Sequence, residues 1–137
     1  MRQGVLRARE ASASGFHLEA ISIWEALIWD ALNTYVSYRT GKTVNTGIGL
    51  GSLEKRLERI EQEYSLSPDE KVLCGLRFQV KTWRKRRDQL LHGLVETQKE
   101  THQTFNDRIS LFVQYARNGE ALFSEIRDLL GKTGVLK

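Results

Sequence analysis

Apolar residues recur at helical spacing along almost the whole chain, and the chain contains a single proline. Between Phe16 and Tyr38 they follow one another at steps of three and four residues, which is the period of an amphipathic α-helix. These positions are Ile21, Trp24, Leu27, Ile28, Ala31, Leu32, Tyr35 and Val36. No segment alternates between apolar and polar residues as a half-buried strand does. The sequence therefore predicts an all-α protein.

Glycines mark the ends of the first predicted elements. Gly41 predicts the C-terminal end of the long helix, and the glycine-rich segment 43–51 is expected to be a loop. A weaker pattern over residues 2–14 predicts a short helix before Gly15. After the loop, an apolar stripe predicts a further helix, and its positions are Leu53, Leu57, Ile60 and Tyr64.

The segment Ser67-Pro68-Asp69-Glu70 has the pattern of a helix start. Serine is the N-cap, proline takes the first helical position, and glutamate three residues after the cap completes a capping box. We expect this helix to run to about Glu96. A polar break over 97–103 then precedes a last helix, which ends at Gly131 and leaves a frayed tail. Its apolar positions include Ile109, Phe112, Val113, Ala116, Leu122, Ile126 and Leu129.

These elements predict one compact bundle. At 137 residues the chain is long enough to bury a single core, so we expect one domain over residues 1–137. Four substantial helices, or five with the short one at the start, make a four- to five-helix bundle. Trp24, Trp29 and Trp83 are large enough to fill much of its core.

Several kinds of site are disfavoured by what the sequence lacks. Cys74 is the only cysteine, which rules out an intrachain disulfide, and its apolar neighbours indicate an inert core thiol. His17, His92 and His102 are widely separated and lack metal-ligand spacing, so we expect neither a metal nor a cofactor. No apolar run approaches the roughly 20 residues of a membrane span, and no apolar segment follows the basic N-terminus. We expect a cytoplasmic protein with no membrane partner.

The excess of positive charge is local. The net charge is +4 and the pI about 9.4, and the segment 81–87 carries five basic residues without an acid. A cluster of this kind favours an anionic partner. A solvated helix face is the alternative.

Arg87 interrupts the apolar stripe of the helix that carries this basic segment. At about 100° per residue it lies at the centre of the apolar arc. The equivalent heptad positions are Leu73, Val80 and Leu94. An arginine buried there is costly unless an acid or a bound anion pairs with it. A glutamate from a neighbouring helix is one such acid, so a purely structural ion pair remains open.

A second stripe follows the edge of the same face at steps of four residues. It consists of Arg84, Asp88 and His92. Asp88 lies one turn before His92 and is placed to orient its ring or adjust its protonation.

The segment Arg87-Asp88-Gln89-Leu90-Leu91-His92 resembles the R-x4-6-H motif of HEPN domains, small all-α proteins that are frequently metal-independent endoribonucleases. The family prefers a polar residue directly after the arginine, and Asp88 fits. Its motif also lies late in a long helix of a four- or five-helix bundle, and the helix over 16–38 is similar to its leading helices. The resemblance covers most of the chain in architecture, but only six residues at the level of the motif.

One position departs from a subgroup of that family. In HEPN toxins paired with nucleotidyltransferase antitoxins, a tyrosine that becomes modified commonly follows two positions after the histidine. Leu94 occupies that position here. Neutralisation by nucleotide transfer to this position is therefore not expected.

The resemblance implies cleavage of single-stranded RNA through attack of the 2′-hydroxyl on the adjacent phosphorus. His92 would act as base or acid, with Asp88 beside it, and Arg87 would contact the non-bridging phosphate oxygens. The residues expected to hold the RNA backbone are Lys81, Arg84, Lys85 and Arg86.

One histidine does not readily serve as base and acid in the same step. A homodimer that brings two motifs to one cleft solves this difficulty, and Arg87 would then face the partner subunit and the RNA instead of its own core. The resemblance also implies a toxin of a toxin–antitoxin or phage-defence system, with an antitoxin protein as a candidate partner.

Two other interpretations of the function stay open. One is a non-catalytic module that binds RNA or protein, and the other is a helical interaction protein in which Arg87 only makes an ion pair.

Overall fold

The computed structural model describes residues 2–42, 47–95 and 102–135, and these ranges contain six α-helices and no strand. In chain order the helices are α1 (Arg2–Ala13), α2 (His17–Thr40), α3 (Leu50–Glu63), α4 (Pro68–Gly75), α5 (Arg77–Val95) and α6 (His102–Thr133). Only Leu76 separates α4 from α5. The expected all-α bundle is confirmed.

The long helix α2 is the centre of the bundle. It packs against α1, α3 and α6, while α5 packs against α3, α4 and α6. All eight apolar positions predicted on α2 are buried. Trp24 packs against Phe123 of α6 with ring centroids 5.9 Å apart. Trp83 is also buried, whereas Trp29 is half-buried and donates from Nε1 to the carbonyl of Ile48 at 2.8 Å.

The predicted ends of two helices are confirmed. Gly41 has a φ of +68°, in the left-handed region that glycine tolerates, and its N–H donates to the carbonyl of Ser37. The Ser67 hydroxyl caps α4 by accepting from the backbone N–H of Glu70 at 3.3 Å.

The second half of the capping box is absent, and its glutamate has another role. The Glu70 carboxylate is buried and accepts from the Tyr35 hydroxyl at 3.0 Å and from Nε of Arg39 at 2.8 Å. Burial is the main cause that raises the pKa of the Tyr35 phenol, which therefore stays protonated. Glu70 thus joins α4 to α2 instead of returning to its own N-cap, because a buried carboxylate needs cationic and hydrogen-bonding partners.

The prediction of one continuous helix from Pro68 to Glu96 is wrong at Leu76. The Leu76 N–H is shared between the carbonyls of Val72 and Leu73 at 3.1 and 3.2 Å, so the chain tightens for one turn. The preceding Gly75 favours such a break because glycine is a weak helix former. Nη1 of Arg77 donates to the Cys74 carbonyl at 2.9 Å and satisfies one acceptor near the turn.

Other predicted boundaries also shift. Tyr64 lies just after α3 and is exposed instead of continuing the apolar stripe. The last helix passes Gly131 and ends at Thr133, because Gly134 takes the left-handed φ of +79° that stops it. Val135 packs against the core, beyond the predicted end of the helix. Residues 43–46 of the predicted loop, Glu96 at the predicted end of the preceding helix, and 97–101 of the polar break lie outside the described residues. Residues 102–103, predicted to belong to that break, are the start of α6.

Candidate functional site

The rotation of α5 about its axis is set by its contact with α6. The rings of Trp83 and Tyr115 are stacked with centroids 4.7 Å apart and planes 5° apart. Trp83 donates from Nε1 to the Tyr115 carbonyl at 3.2 Å, and the Tyr115 hydroxyl donates to the Trp83 carbonyl. Burial raises the pKa of the Tyr115 phenol, so this group stays protonated. This contact between Trp83 and Tyr115, the α5–α6 seam, therefore positions the rest of α5.

Arg87 lies against α2 and forms ion pairs within the chain. Its Nη1 donates to Oε2 of Glu25 on α2, and its Nε and Nη2 donate to Oδ1 of Asp88 at 3.3 and 3.1 Å. The Arg87 side chain is 24% exposed. A cavity of about 120 Å³ adjoins it, lined by Leu18, Ile21, Ser22, Leu90, Phe112 and Tyr115. The guanidinium is thus partly dry and partly neutralised.

This position differs from the one expected for Arg87. It was expected to face a partner subunit and phosphate instead of its own bundle, whereas within the chain it faces Glu25. The physical reason is the cost of placing a cation on an apolar face, which a carboxylate from the neighbouring helix offsets. Guanidinium has five N–H donors, so some remain available beside the three used here.

His92 lies in the last turn of α5 and is exposed. Within the described ranges no hydrogen bond or ion pair holds its ring. Asp88 lies one turn earlier and its side chain is more than half exposed, but its carboxylate accepts from Arg87 and not from the imidazole. The predicted orientation of His92 by Asp88 is therefore not formed in the isolated chain.

The basic segment is divided among several sides of α5. Nε and Nη2 of Arg84 donate to the buried carboxylate of Glu54 on α3 at 3.0 and 3.2 Å, and these bonds raise the pKa of the guanidinium. Arg86 is exposed toward α6, beside Trp83. Lys81 and Lys85 are exposed. Of the four predicted backbone-binding residues, Arg84 is therefore committed to a structural pair, and Arg86 lies on another side from the lysines.

The exposed residues that do share one side form a line along α5. They are Lys81, Lys85, Asp88 and His92, at steps of four, three and four residues. Residues at these steps are neighbours on a helix surface, with roughly 5–6 Å between successive Cβ atoms. At about 100° per residue, Arg87 lies to one side of this line. The structure thus brings the two lysines and the histidine together, and separates them from the arginine of the motif.

Glu25 and Glu54 are the two site residues that were not identified from the sequence. A shared signal exists, because each carboxylate adjoins an apolar stripe of its own helix. Glu25 follows the buried Trp24, and Glu54 follows the buried Leu53. An acid in such a position indicates a cation on the facing helix, although the pattern does not say which one.

The described part of the chain also lacks two kinds of feature. Within residues 2–42, 47–95 and 102–135 there is no group of three or more His, Cys, Asp or Glu side chains placed to hold a metal ion. None of the helices in those ranges is long and apolar enough to cross a membrane. Cys74 is fully buried, and burial raises the pKa of its thiol, as expected of an inert core cysteine.

Comparison of the chain with family models, with curated proteins and with solved structures finds no match.

Proposed function

We propose that this protein is a homodimeric, metal-independent endoribonuclease that cleaves single-stranded RNA. The observation that supports this most is the exposed position of His92 at the end of the line that contains Lys81 and Lys85. Two lysines on one side of a helix can contact successive phosphates without reading sequence. An unpaired imidazole next to a bound phosphate has the position that proton transfer requires.

The chemistry needs three contributions. A base takes the proton of the 2′-hydroxyl as its oxygen attacks the adjacent phosphorus, and an acid gives a proton to the departing 5′-oxygen. The 2′,3′-cyclic phosphate and the free 5′-hydroxyl are the products. Histidine is suited to both proton transfers because it changes protonation near neutral pH. Positive charge near the non-bridging oxygens stabilises the crowded phosphorus.

In this proposal Arg87 donates to those oxygens with its remaining N–H groups. Glu25 and Asp88 hold the guanidinium in one orientation, and their two carboxylates offset its single positive charge, so its contribution is hydrogen-bond donation. A fixed donor fork loses less freedom on contacting phosphate than a mobile one. Asp88 is therefore assigned to orienting Arg87 and not to His92.

The two proton transfers require two histidines. In a two-fold dimer the C-terminal ends of two α5 helices meet, so that one His92 acts as base and the other as acid. The resemblance of the motif to HEPN domains supports this arrangement and a cytoplasmic toxin or phage-defence role with an antitoxin partner.

Cleavage of a long single-stranded RNA in EDTA tests the proposal. His92→Ala is expected to lower the rate at least about 100-fold, since general acid–base catalysis contributes roughly 10²–10⁴-fold. Lys71→Ala, at an exposed lysine of α4 away from the line, is the control and is expected to cleave like the wild type. Products that end in 2′,3′-cyclic phosphate support the mechanism. Equal rates for the wild type and His92→Ala would contradict it.

A non-catalytic binding module is the second candidate, and one observation favours it. Arg87 and Arg84 already have carboxylate partners within the chain, which is what a purely structural role predicts. RNA binding with a steep dependence on salt, but with no cleavage even at high protein concentration, would identify this alternative.

A further inference from the structure

Phe78 continues the line of exposed residues on α5 toward its N-terminus. Phe78 lies three positions before Lys81, so its ring is on the same side of the helix as Lys81, Lys85 and His92. Phe78 is 63% exposed, the largest value among the exposed large apolar residues of the described ranges. Phe78 therefore presents an aromatic surface to solvent in line with the cations of α5.

The ring of Phe78 is held from one side. The guanidinium carbon of Arg77 lies 4.4 Å from the ring centroid, in a cation–π contact. Arg77 is itself fixed by two hydrogen bonds to Glu61 at 3.0 and 3.1 Å and by one to the Cys74 carbonyl. Because the guanidinium covers one face, the exposed area of the ring lies on the other face and edge. The ring is thus fixed by Arg77 on one face and open to a ligand on the other.

Phe78 also separates two grooves. On one side, between α3 and α5, lies a groove of about 580 Å³ with four cationic and two acidic side chains. Its charged residues are Lys55, Arg77, Lys81, Arg84, Glu54 and Glu58. Arg77 and Arg84 are held by Glu61 and Glu54, so the cations without a carboxylate partner in the described ranges are Lys55 and Lys81. With Glu58 as the remaining acid, the charges outside these ion pairs are two positive and one negative, and the side of the groove at the lysines fits a negatively charged backbone.

The groove on the other side, between α5 and α6, has about 430 Å³ and a different chemistry. Trp83, Tyr115 and Leu122 are buried along its floor. Gln79 and Asn118 add exposed amides at its walls, and each amide offers both donors and an acceptor. An apolar floor with amides beside it fits a planar ring whose edge carries hydrogen-bonding groups.

We propose that Phe78 is a stacking platform for a base of single-stranded RNA. The base lies on the open face of the ring with its edge toward the amides of Gln79 and Asn118, and the adjoining phosphate lies toward Lys55 and Lys81. Stacking on aromatic side chains combined with a basic groove is how proteins hold single strands without sequence preference. This inference rests on the proposed function, because it names how the RNA substrate is held.

The position of Phe78 also sets a minimum length for an RNA strand that contacts both Phe78 and His92. Fourteen residues from Phe78 to His92, at about 1.5 Å each, place the two about 21 Å apart along the helix axis. A strand that contacts both must therefore span several nucleotides. A base-paired duplex does not offer an unstacked base to Phe78, so the platform favours single strands over duplexes.

Binding of a fluorescent single-stranded RNA to the uncleaving His92→Ala protein tests the platform. Adding Phe78→Ala is expected to weaken binding about tenfold, within the range measured for base–aromatic stacking. Adding Phe78→Trp is expected to restore it. Phe16→Ala is the matched control, because Phe16 is 62% exposed and lies at the start of α2, off this line. Binding of an RNA duplex is expected to be equal in all of these proteins.

The salt dependence of RNA affinity distinguishes the contribution of the Phe78 ring from that of the basic groove. Lys81→Gln is expected to reduce the slope of log affinity against log salt by about one, whereas Phe78→Ala leaves the slope unchanged. Equal single-strand affinities for Phe78→Ala and Phe16→Ala would overturn the platform. If the affinities were equal and His92→Ala still abolished cleavage, the proposed endoribonuclease function would stand without the platform. Absence of RNA binding by the wild type would overturn both proposals. A protein ligand whose binding depends on Phe78, together with RNA binding that does not, would overturn the platform alone.

Discussion

The pair of Arg87 and Glu25 joins two helices that have few other contacts near this end of the bundle. Both side chains are about a quarter exposed, so solvent screens the attraction only in part. The pair offsets the cost of placing a guanidinium among Leu90, Phe112 and the other residues around its cavity. We infer that the pair both stabilises the fold and orients the arginine.

A double-mutant cycle measures the coupling free energy between Arg87 and Glu25. Glu25→Gln, Arg87→Gln and the double variant are expected to give a coupling of about 1 kcal/mol in urea unfolding. The exposed pair of Arg9 and Glu120 is the matched control, because the Arg9 side chain is 58% exposed. Its cycle is expected to give less than about 0.5 kcal/mol. Equal couplings for the two pairs would contradict the special position of Arg87.

At the scale of elements, α5 depends on its close contact with α6. Gly119 lies under the Trp83 ring, and a Cβ atom at this position would lie 2.7 Å from Cζ2 of Trp83 and 3.2 Å from Cβ of Trp24. The absence of a side chain at residue 119 therefore lets two tryptophans approach α6. The stacked pair of Trp83 and Tyr115 rests on this approach.

Two glycines of α6 form a matched test of that contact. Gly119→Ala is expected to lower the free energy of unfolding by roughly 1–3 kcal/mol, since the ring must shift in a packed core. Gly131→Ala meets no atom within 4 Å, and we expect it to stabilise the helix by up to about 1 kcal/mol. Urea unfolding followed by tryptophan fluorescence measures both. A neutral Gly119→Ala would show that the seam is not tightly packed.

The elements themselves were largely predictable, because their signals are local. Helical spacing on α2, the N-cap at Ser67 and the stop at Gly41 depend on residues within one or two turns. The partner of Arg87 was not predictable, since Glu25 lies 62 positions away and is brought near only by packing. The break at Leu76 was also missed, because a single shared N–H decides it and the apolar stripe continues across it.

For the candidate site, the sequence indicated the residues but not their grouping. Lys81, Lys85 and His92 were singled out and do lie on one side of α5. Arg84 was assigned to RNA, yet it is held by Glu54. Whether a cation is free depends on carboxylates from other helices, and the spacing on its own helix does not contain that information.

At the scale of the whole molecule, the proposed mechanism requires two chains. A single α5 presents one exposed imidazole, and Arg87 lies to the side of the line that carries it. In the proposed mechanism one chain therefore lacks the second proton-transfer group, and a two-fold partner would supply it. This requirement makes the activity of mixed dimers the most direct measurement.

Wild-type and His92→Ala chains are mixed in equal amounts, co-refolded so that subunits exchange, and assayed for RNA cleavage in EDTA at constant total protein. If each reaction needs both histidines, only wild-type homodimers are active, and the rate falls to about one quarter of that of the wild type alone. A rate of about one half would mean that each chain acts independently. That result, or cleavage that does not depend on His92, would contradict the paired site.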